Sequence, residues 1–273
     1  LPPEVADLLT ATKEERPELS VRQVIAPASA KIPAGIRLAP STVHGLLAGK
    51  GLMKKKADDP DGKDHRRFSY PFAGDLVMCD VMHGPTVRTA GNRRRKTYLI
   101  AFIDDAARVI PFAAFAMSES TADFMVVFKQ AIMRRGIPLR LFVDNGAAFR
   151  SRHPALVCAK LGITLIHARA YHAQAKGKIE RWFRTVRLQF MPLLAPADTE
   201  SLEALNRALW SYVEMEYHRS HHRILGETPL DRRAMVGRKV RLPEPGLDLD
   251  DLFLFETKRK VHKDRTVSLG GQV

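Results

Sequence analysis

Three carboxylates stand where side chains of their kind can hold metal ions. Asp80 lies inside DLVMCDVMHGPTV at 75–87, an apolar run that reads as a strand. Asp144 ends a second run, LRLFVD at 139–144, just before the turn signal Asn145-Gly146. Glu180 falls in the first turns of a helix expected over 175–194. An ion site needs side chains from separate rigid elements that converge. Carboxylate oxygens without cysteine partners select hard cations, Mg²⁺ or Mn²⁺. Two such ions, about 3.5–4 Å apart, can clamp the attacking and leaving oxygens of an in-line phosphoryl displacement. An acid on a core strand is otherwise costly, so Asp80 requires an explanation. From charge counts alone, ordinary salt bridges account for Asp144 and Glu180 equally well.

Rival groups fit less well. Asp75 is an odd number of residues from Asp80, so on a regular strand the two face opposite sides, and Asp75 more simply starts the strand. Asp104 and Asp105 sit at a strand-to-strand turn, where Asp is an ordinary residue. His218, His221 and His222 cluster at a helix end without a nearby cysteine, which suits solvated or phosphate-facing histidine better than zinc ligation. Cys79 should point away from Asp80 and reads as packing. Trp182 and Trp210 read as core anchors of two long helices.

The elements that must position these groups alternate in type. Residues 75–87, 97–104 and 109–117 read as three consecutive strands, with GNRRRK at 91–96 as the tip of the first hairpin. A helix follows at 120–135, capped by Ser120 or Thr121, then a strand at 139–144, a helix at 152–161 and a strand at 163–168. Two long helices are expected at 175–194 and 199–219. This is an α/β layered domain. Ahead of it, 3–12, 20–30 and 40–50 read as short helices punctuated by Pro2, Pro17 and Pro40. Ser41 or Thr42 could cap the third, whose apolar side is Val43, Leu46 and Leu47. The trio suits either a helix-turn-helix DNA reader or a plain bundle; in the first case Ser41, Thr42 and His44 meet bases and Lys54, Lys55 and Lys56 follow as a basic exit. Residues 57–67 read as a linker, and from about 237 the chain reads as the opening strands of a small β module.

Charge narrows the partners. The 273 residues carry 44 Lys and Arg against 30 Asp and Glu, a formal net charge of +14. Residues 71–195 alone hold 19 basic and 8 acidic side chains. Such a surplus usually meets a polyanion. Two cysteines cannot build a disulfide framework or a four-sulfur zinc site, so a reducing compartment is expected. No apolar run is long enough to span a membrane, and the first dozen residues lack a signal peptide's basic start. Leu1 is not an initiator methionine, which points to a fragment. On the helix carrying Glu180, Arg184 and Lys176 fall about 40° to either side and Arg187 about 20° away. Ile179, Phe183, Val186 and Phe190 gather on a neighbouring face that should pack on the sheet, leaving a basic ridge outside the core.

The spacing and its surroundings carry a family resemblance. There are 35 residues between Asp144 and Glu180. LFVDNGAAFRS and YHAQAKGKIERWFRTV resemble the retroviral-integrase-type DDE transposases of bacterial insertion sequences and Mu-like phages. Their pattern, Asp-Asn-Gly followed by Tyr-His-Pro-Gln-x-x-Gly-Lys-x-Glu-Arg, is matched by Tyr171, His172, Gln174, Gly177, Lys178, Glu180 and Arg181. VMCDVMHGP resembles the family's first-aspartate strand, FIDDAARVI its next hairpin, and YHRSHHRILGETPLDR at 217–232 its closing segment. The sequence departs at Ala173, where proline is usual, at Phe183, where histidine is common, and at His221-His222-Arg223.

The resemblance implies an RNase H-like catalytic core over 68–236, a five-stranded mixed sheet with helices. A helix-turn-helix domain and linker over 1–67 would precede it, and the start of a β-barrel-like module over 237–273 would follow. It implies that Asp80, Asp144 and Glu180 are catalytic, holding two Mg²⁺ or Mn²⁺ ions per active site. A phosphodiester at a transposon end would be hydrolysed, and the freed 3′-OH would attack a target-strand phosphate. Asn145, Gln174, Lys176, Lys178, Arg181, Arg184 and Arg187 would touch DNA. The implied partners are double-stranded DNA at the transposon ends and the target, further copies of the chain on paired ends, and an ATPase target-selection helper. The implied location is the bacterial cytoplasm, at the nucleoid. Two other readings remain: a DNA-binding domesticated or assembly protein with a non-transposing core, and a metal-dependent RNase H-like nuclease.

Overall fold

The computed structural model describes residues 1–29, 38–53, 69–168, 176–237 and 241–254. Three helices open it: α1 (Pro3–Glu15), α2 (Val21–Ser29) and α3 (Pro40–Gly49). Val5, Leu9, Leu19, Val24, Ala28, Val43 and Leu47 give them a core of their own. Ala39, rather than Ser41 or Thr42, is the N-cap of α3. The reason is Pro40, whose fixed φ suits the first helical position and whose missing N–H costs no bond there. Ser41, Thr42 and His44 are exposed in the first turns of α3. Gln23 Nε2 donates to the Gln189 carbonyl at 2.7 Å, and Arg16 donates to the Pro192 carbonyl, tying this bundle to the larger domain.

The larger domain is built on β1 (Val77–Thr89), β2 (Arg93–Asp104), β3 (Ala113–Ala116), β4 (Arg140–Val143) and β5 (Thr164–His167). The sheet order is β3-β2-β1-β4-β5. β2 is antiparallel to both β1 and β3, while β4 runs parallel to β1 and β5 parallel to β4. This mixed five-stranded arrangement is the RNase H-like fold. Strand alternation sorts the apolar side chains onto two faces. Val77, Cys79, Ile100, Phe102, Leu141 and Val143 bury against α4 (Thr121–Arg135) and α6 (Arg152–Lys160). Met78, Met82, Leu99, Ala101 and Ile103 bury against α7 (Gly177–Thr185) and α8 (Leu202–Ser211). Ser120 caps α4, its side chain accepting from the Asp123 N–H at 3.2 Å.

Three expectations change in detail. The third strand is short: residues 109–112 are irregular, although Val109 and Phe112 still accept backbone bonds from Asp104 and Phe102. Each long helix switches to a wider π-helical turn near its end, at Val186–Phe190 after α7 and Tyr212–Tyr217 after α8. At the C-terminal end Leu249–Leu252 is a helical turn capped by Asp248, not a strand. Leu252 and Phe253 pack into the core under α4, with Phe253 and Phe128 ring centres 5.8 Å apart. Burying these two apolar side chains ties this turn to the larger domain. Residues 255–273, the linker at 57–67, and Lys54, Lys55 and Lys56 lie outside the described residues.

His218 is wholly buried and serves the fold. Its Nε2 accepts from the Ile110 N–H at 2.9 Å, and its Nδ1 faces Glu214 at 3.2 Å. Burial lowers its pKa against the opposing pull of Glu214. The unfolded chain takes up this proton below about pH 6.5, whereas the folded chain resists it. Stability contributed by neutral His218 is therefore lost as pH falls from about 6.5 toward the lowered folded value. Urea unfolding at pH 7 and pH 5 should show this loss, and His218→Gln should lose less between the two pH values than the parent.

Candidate active site

β1 and β4 bring two carboxylates to one place. Val77 lies opposite Leu141 and Met78 opposite Phe142. Two residues further along each strand direction come Asp80 and Asp144, on the sheet face that carries α7. Asp144 follows the last residue of β4, where a strand end leaves room for a side chain to turn toward solvent. The Gly146 N–H donates to its Oδ1 at 2.7 Å and orients the carboxylate. A Cβ on Gly146 would sit 2.8 Å from that oxygen, so a larger residue here would push the Asp144 carboxylate from this position.

The gap between the two aspartates is filled by an ammonium. Lys176, at the N-cap of α7, donates from Nζ to Asp80 Oδ1 at 3.1 Å and to Asp144 Oδ2 at 3.0 Å. The Lys176 and Asp80 side chains are only 15% and 16% exposed, so water screens this contact poorly. Burial works against the Lys176 charge, but the hydrogen bonds and charges of Asp144 and Asp80 outweigh it and raise its pKa. Burial also raises the pKa of Asp80, against the opposing effect of Lys176. Oxygens from two neighbouring strands thus converge within reach of one compact cation. The all-oxygen donor set and this convergence fit a hard divalent ion.

Glu180 is not part of that convergence. It is exposed in the first turn of α7, and among the described residues no three His, Cys, Asp or Glu side chains lie close enough to share a metal. The expected three-carboxylate cluster is therefore a pair plus a separate glutamate. Lys176, one helical turn before Glu180, occupies the space between the aspartates.

The remaining predicted contacts divide. Arg181 and Arg184 are exposed beside Glu180. Arg187 is exposed too, but its Nε lies 3.0 Å from Met82 Sδ. The π-helical turn from Val186 changes the angle per residue just before Arg187 and shifts it somewhat along the helix surface. Ile179, Phe183, Val186 and Phe190 bury against the sheet as expected. Asn145 Nδ2 donates to the Ala168 carbonyl at 2.6 Å, closing the turn after β4. Gln174 lies outside the described residues.

Lys178 is a correction. Its Nζ donates to the Asp105 carboxylate, and to the Asp105 carbonyl at 3.2 Å, rather than standing free for DNA. Asp105 also accepts the Tyr70 N–H at 2.7 Å. Asp104 accepts the N–H groups of Gly74, Ala106 and Ala107 at 2.7, 3.1 and 2.7 Å. Both turn acids are buried anchors. The available signal was their setting, two adjacent acids with apolar residues on both sides.

An RNase H-like sheet thus carries aspartates at two adjacent parallel strands. The family described as the TnsB C-terminal domain matches residues 103–195. The chain is 27% identical over 236 residues to the transposase for transposon Tn552 of Staphylococcus aureus, covering 79% of this chain and 48% of that protein. It is 27% identical over 174 residues to the transposase for insertion sequence IS1202 of Streptococcus pneumoniae, covering 58% of this chain and 35% of that protein. The chain is thus similar in sequence to transposases over much of its length, and to the TnsB C-terminal domain over its central part. It spans about half the length of the Tn552 relative and about a third of the other. The HTLV-2 integrase catalytic core domain in complex with magnesium aligns over 59% of this chain and 97% of its own, at 21% identity and a TM-score of 0.47. Among the described residues, no helix is long and apolar enough to cross a membrane.

Proposed function

We propose that this chain is the catalytic region of a DNA transposase that cuts at transposon ends and joins the freed 3′-OH to target DNA. The observation that carries this reading is the Asp80–Asp144 pair, two carboxylates from adjacent parallel strands brought to within 3.1 Å of one cation. Asp80 and Asp144 would hold the ions, with Glu180 completing the set from α7 once Lys176 gives way. Two Mg²⁺ or Mn²⁺ ions, when bound, would polarise the phosphodiester and activate the attacking oxygen. Arg181 and Arg184 would grip phosphates beside the centre. Ser41, Thr42 and His44 on α3 would read bases at the transposon end. Double-stranded DNA is the partner, with further copies of the chain on paired ends and an ATPase helper for target selection.

The test is incubation of the chain with candidate terminal-repeat DNA and Mg²⁺ or Mn²⁺, resolving cut and joined strands. Discrete end cleavage followed by joined products is expected. A chain that binds Mn²⁺ and terminal DNA yet yields neither product overturns the reading.

Lys176 supplies a second measurement, independent of turnover. An entering divalent ion must displace an ammonium that already neutralises both aspartates. Removing that like charge, in Lys176→Gln, should tighten Mn²⁺ binding by about tenfold, a modest share of the repulsion between charges some 4 Å apart in a partly shielded site. Titration followed by Mn²⁺ electron paramagnetic resonance reads it directly. Equal affinity in parent and variant would show that Lys176 and the ion do not share one site.

A further inference from the structure

β1 and β2 run on well past the rest of the sheet. β4 ends at Val143, and β3 pairs with β2 only between Tyr98 and Ala101. Beyond that, β1 and β2 pair with each other alone, from Thr86 opposite Lys96 to Thr89 opposite Arg93. Ala90–Asn92 closes the ribbon, with Gly91 and Asn92 in the left-handed region at φ 74° and 59°. Thr89 Oγ1 staples the end by donating to the Arg93 carbonyl at 3.0 Å. Arg93, Arg94, Arg95 and Lys96 therefore belong to the strand rather than to the tip where GNRRRK was expected to turn.

The ribbon is firmly rooted and strongly charged. At its base Val87 is fully buried, and Thr97 Oγ1 donates to the Pro85 carbonyl at 2.7 Å. Gly84 packs so closely that a Cβ there would lie 2.4 Å from Thr97 Oγ1 and 2.6 Å from the Phe115 ring. Toward the tip, Arg88, Arg93, Arg94, Arg95 and Lys96 are all exposed, and the sequence from His83 to Tyr98 contains no acid. Arg88 pairs with Glu200 at 3.0 Å. Arg88 also stands directly opposite Arg94 in the register, where like charges destabilise a strand pair. A merely solvated ribbon would be expected to mix its signs and avoid that opposition.

Position relates the ribbon to the two aspartates. Asp80 pairs with Ala101, and Ala101, Arg95 and Arg93 share one face of β2 because they are even numbers of residues apart. At about 3.4 Å per residue, Arg95 and Arg93 lie roughly 20 and 27 Å along the strand from the Asp80 level. We propose that this ribbon is a sequence-independent clamp for the phosphate backbone of duplex DNA. It holds the duplex about six to eight base pairs from the catalytic centre, at 3.4 Å per base pair. Five guanidinium and ammonium groups without an accompanying set of amide side chains suit phosphates better than base edges. The inference rests on the DNA reading above.

The test uses the whole chain and a terminal-repeat duplex, with fluorescence anisotropy over a salt titration and hydroxyl-radical footprinting. Arg93→Gln, Arg94→Gln and Arg95→Gln combined should shallow the log–log salt slope by about two to three, at roughly 0.9 per phosphate contact. A protected patch about six to eight base pairs from the cut position should disappear, given the 3.4 Å rise. Arg95→Gln alone is the second variant: Arg95 is exposed on the face shared with Arg93, so its melting temperature should hold, while the slope shallows by about one. A parent chain that binds duplex DNA, with slope and footprint unchanged in these variants, overturns the clamp and leaves the DNA reading intact. A parent chain that binds no duplex DNA overturns that reading and the clamp with it.

Discussion

Asp80→Asn and Asp144→Asn should each reduce DNA cleavage and joining to below about one hundredth of the parent, since even a partner that only supports a metal ligand is worth 10–100-fold. Each change keeps the shape of the side chain and removes the charge that attracts a divalent ion. Neither should unfold the protein, because Lys176 keeps one carboxylate partner at 3.0 or 3.1 Å in either variant. Glu180→Gln should cause a similar loss of activity with still less effect on stability, as Glu180 is exposed. Strand cleavage assays with Mg²⁺, alongside thermal melts, separate the two effects. Near-parental activity in any one of the three would remove that residue from the catalytic set.

Lys178→Met should cost about 3–5 kcal/mol of stability, the range found when one partner of a buried ion pair is removed. The Asp105 side chain is fully shielded, and that of Lys178 is only 18% exposed. Deleting the ammonium leaves a carboxylate inside the domain with the Tyr70 N–H as its remaining hydrogen-bond donor named above. Chemical denaturation reads this as a lower midpoint with little change in slope. Adding Asp105→Asn should recover part of the loss by removing the stranded charge. A contact to DNA would behave in the opposite way: the midpoint would stay and the affinity for duplex would fall.

The contrast between Lys178 and Asp80 shows what local reading can reach. Asp80 and Asp144 were legible because strand alternation and a glycine turn are written in neighbouring residues. The Ser120 cap and the buried face of Ile179, Phe183, Val186 and Phe190 were legible for the same reason. The partners of the lysines were not. Lys176 meets Asp80 across 96 residues and Lys178 meets Asp105 across 73, and no periodicity specifies contacts at such range. The π-helical turn at Val186 leaves no mark in residue type, because its side chains alternate as an ordinary helix would. The helical turn at Leu249–Leu252 was missed for another reason: two leucines flanking two aspartates are too short a stretch to show a period, and packing decides.

The bridge from Lys176 has a consequence for how the protein comes into being. Two unneutralised carboxylates at the end of a sheet would repel each other and oppose closure of β1 on β4. Many metal-dependent domains face that problem and cannot mature until their ion arrives. Here the polypeptide carries its own counterion, so the strand ends can close with their charge already balanced and folding need not wait for a cation.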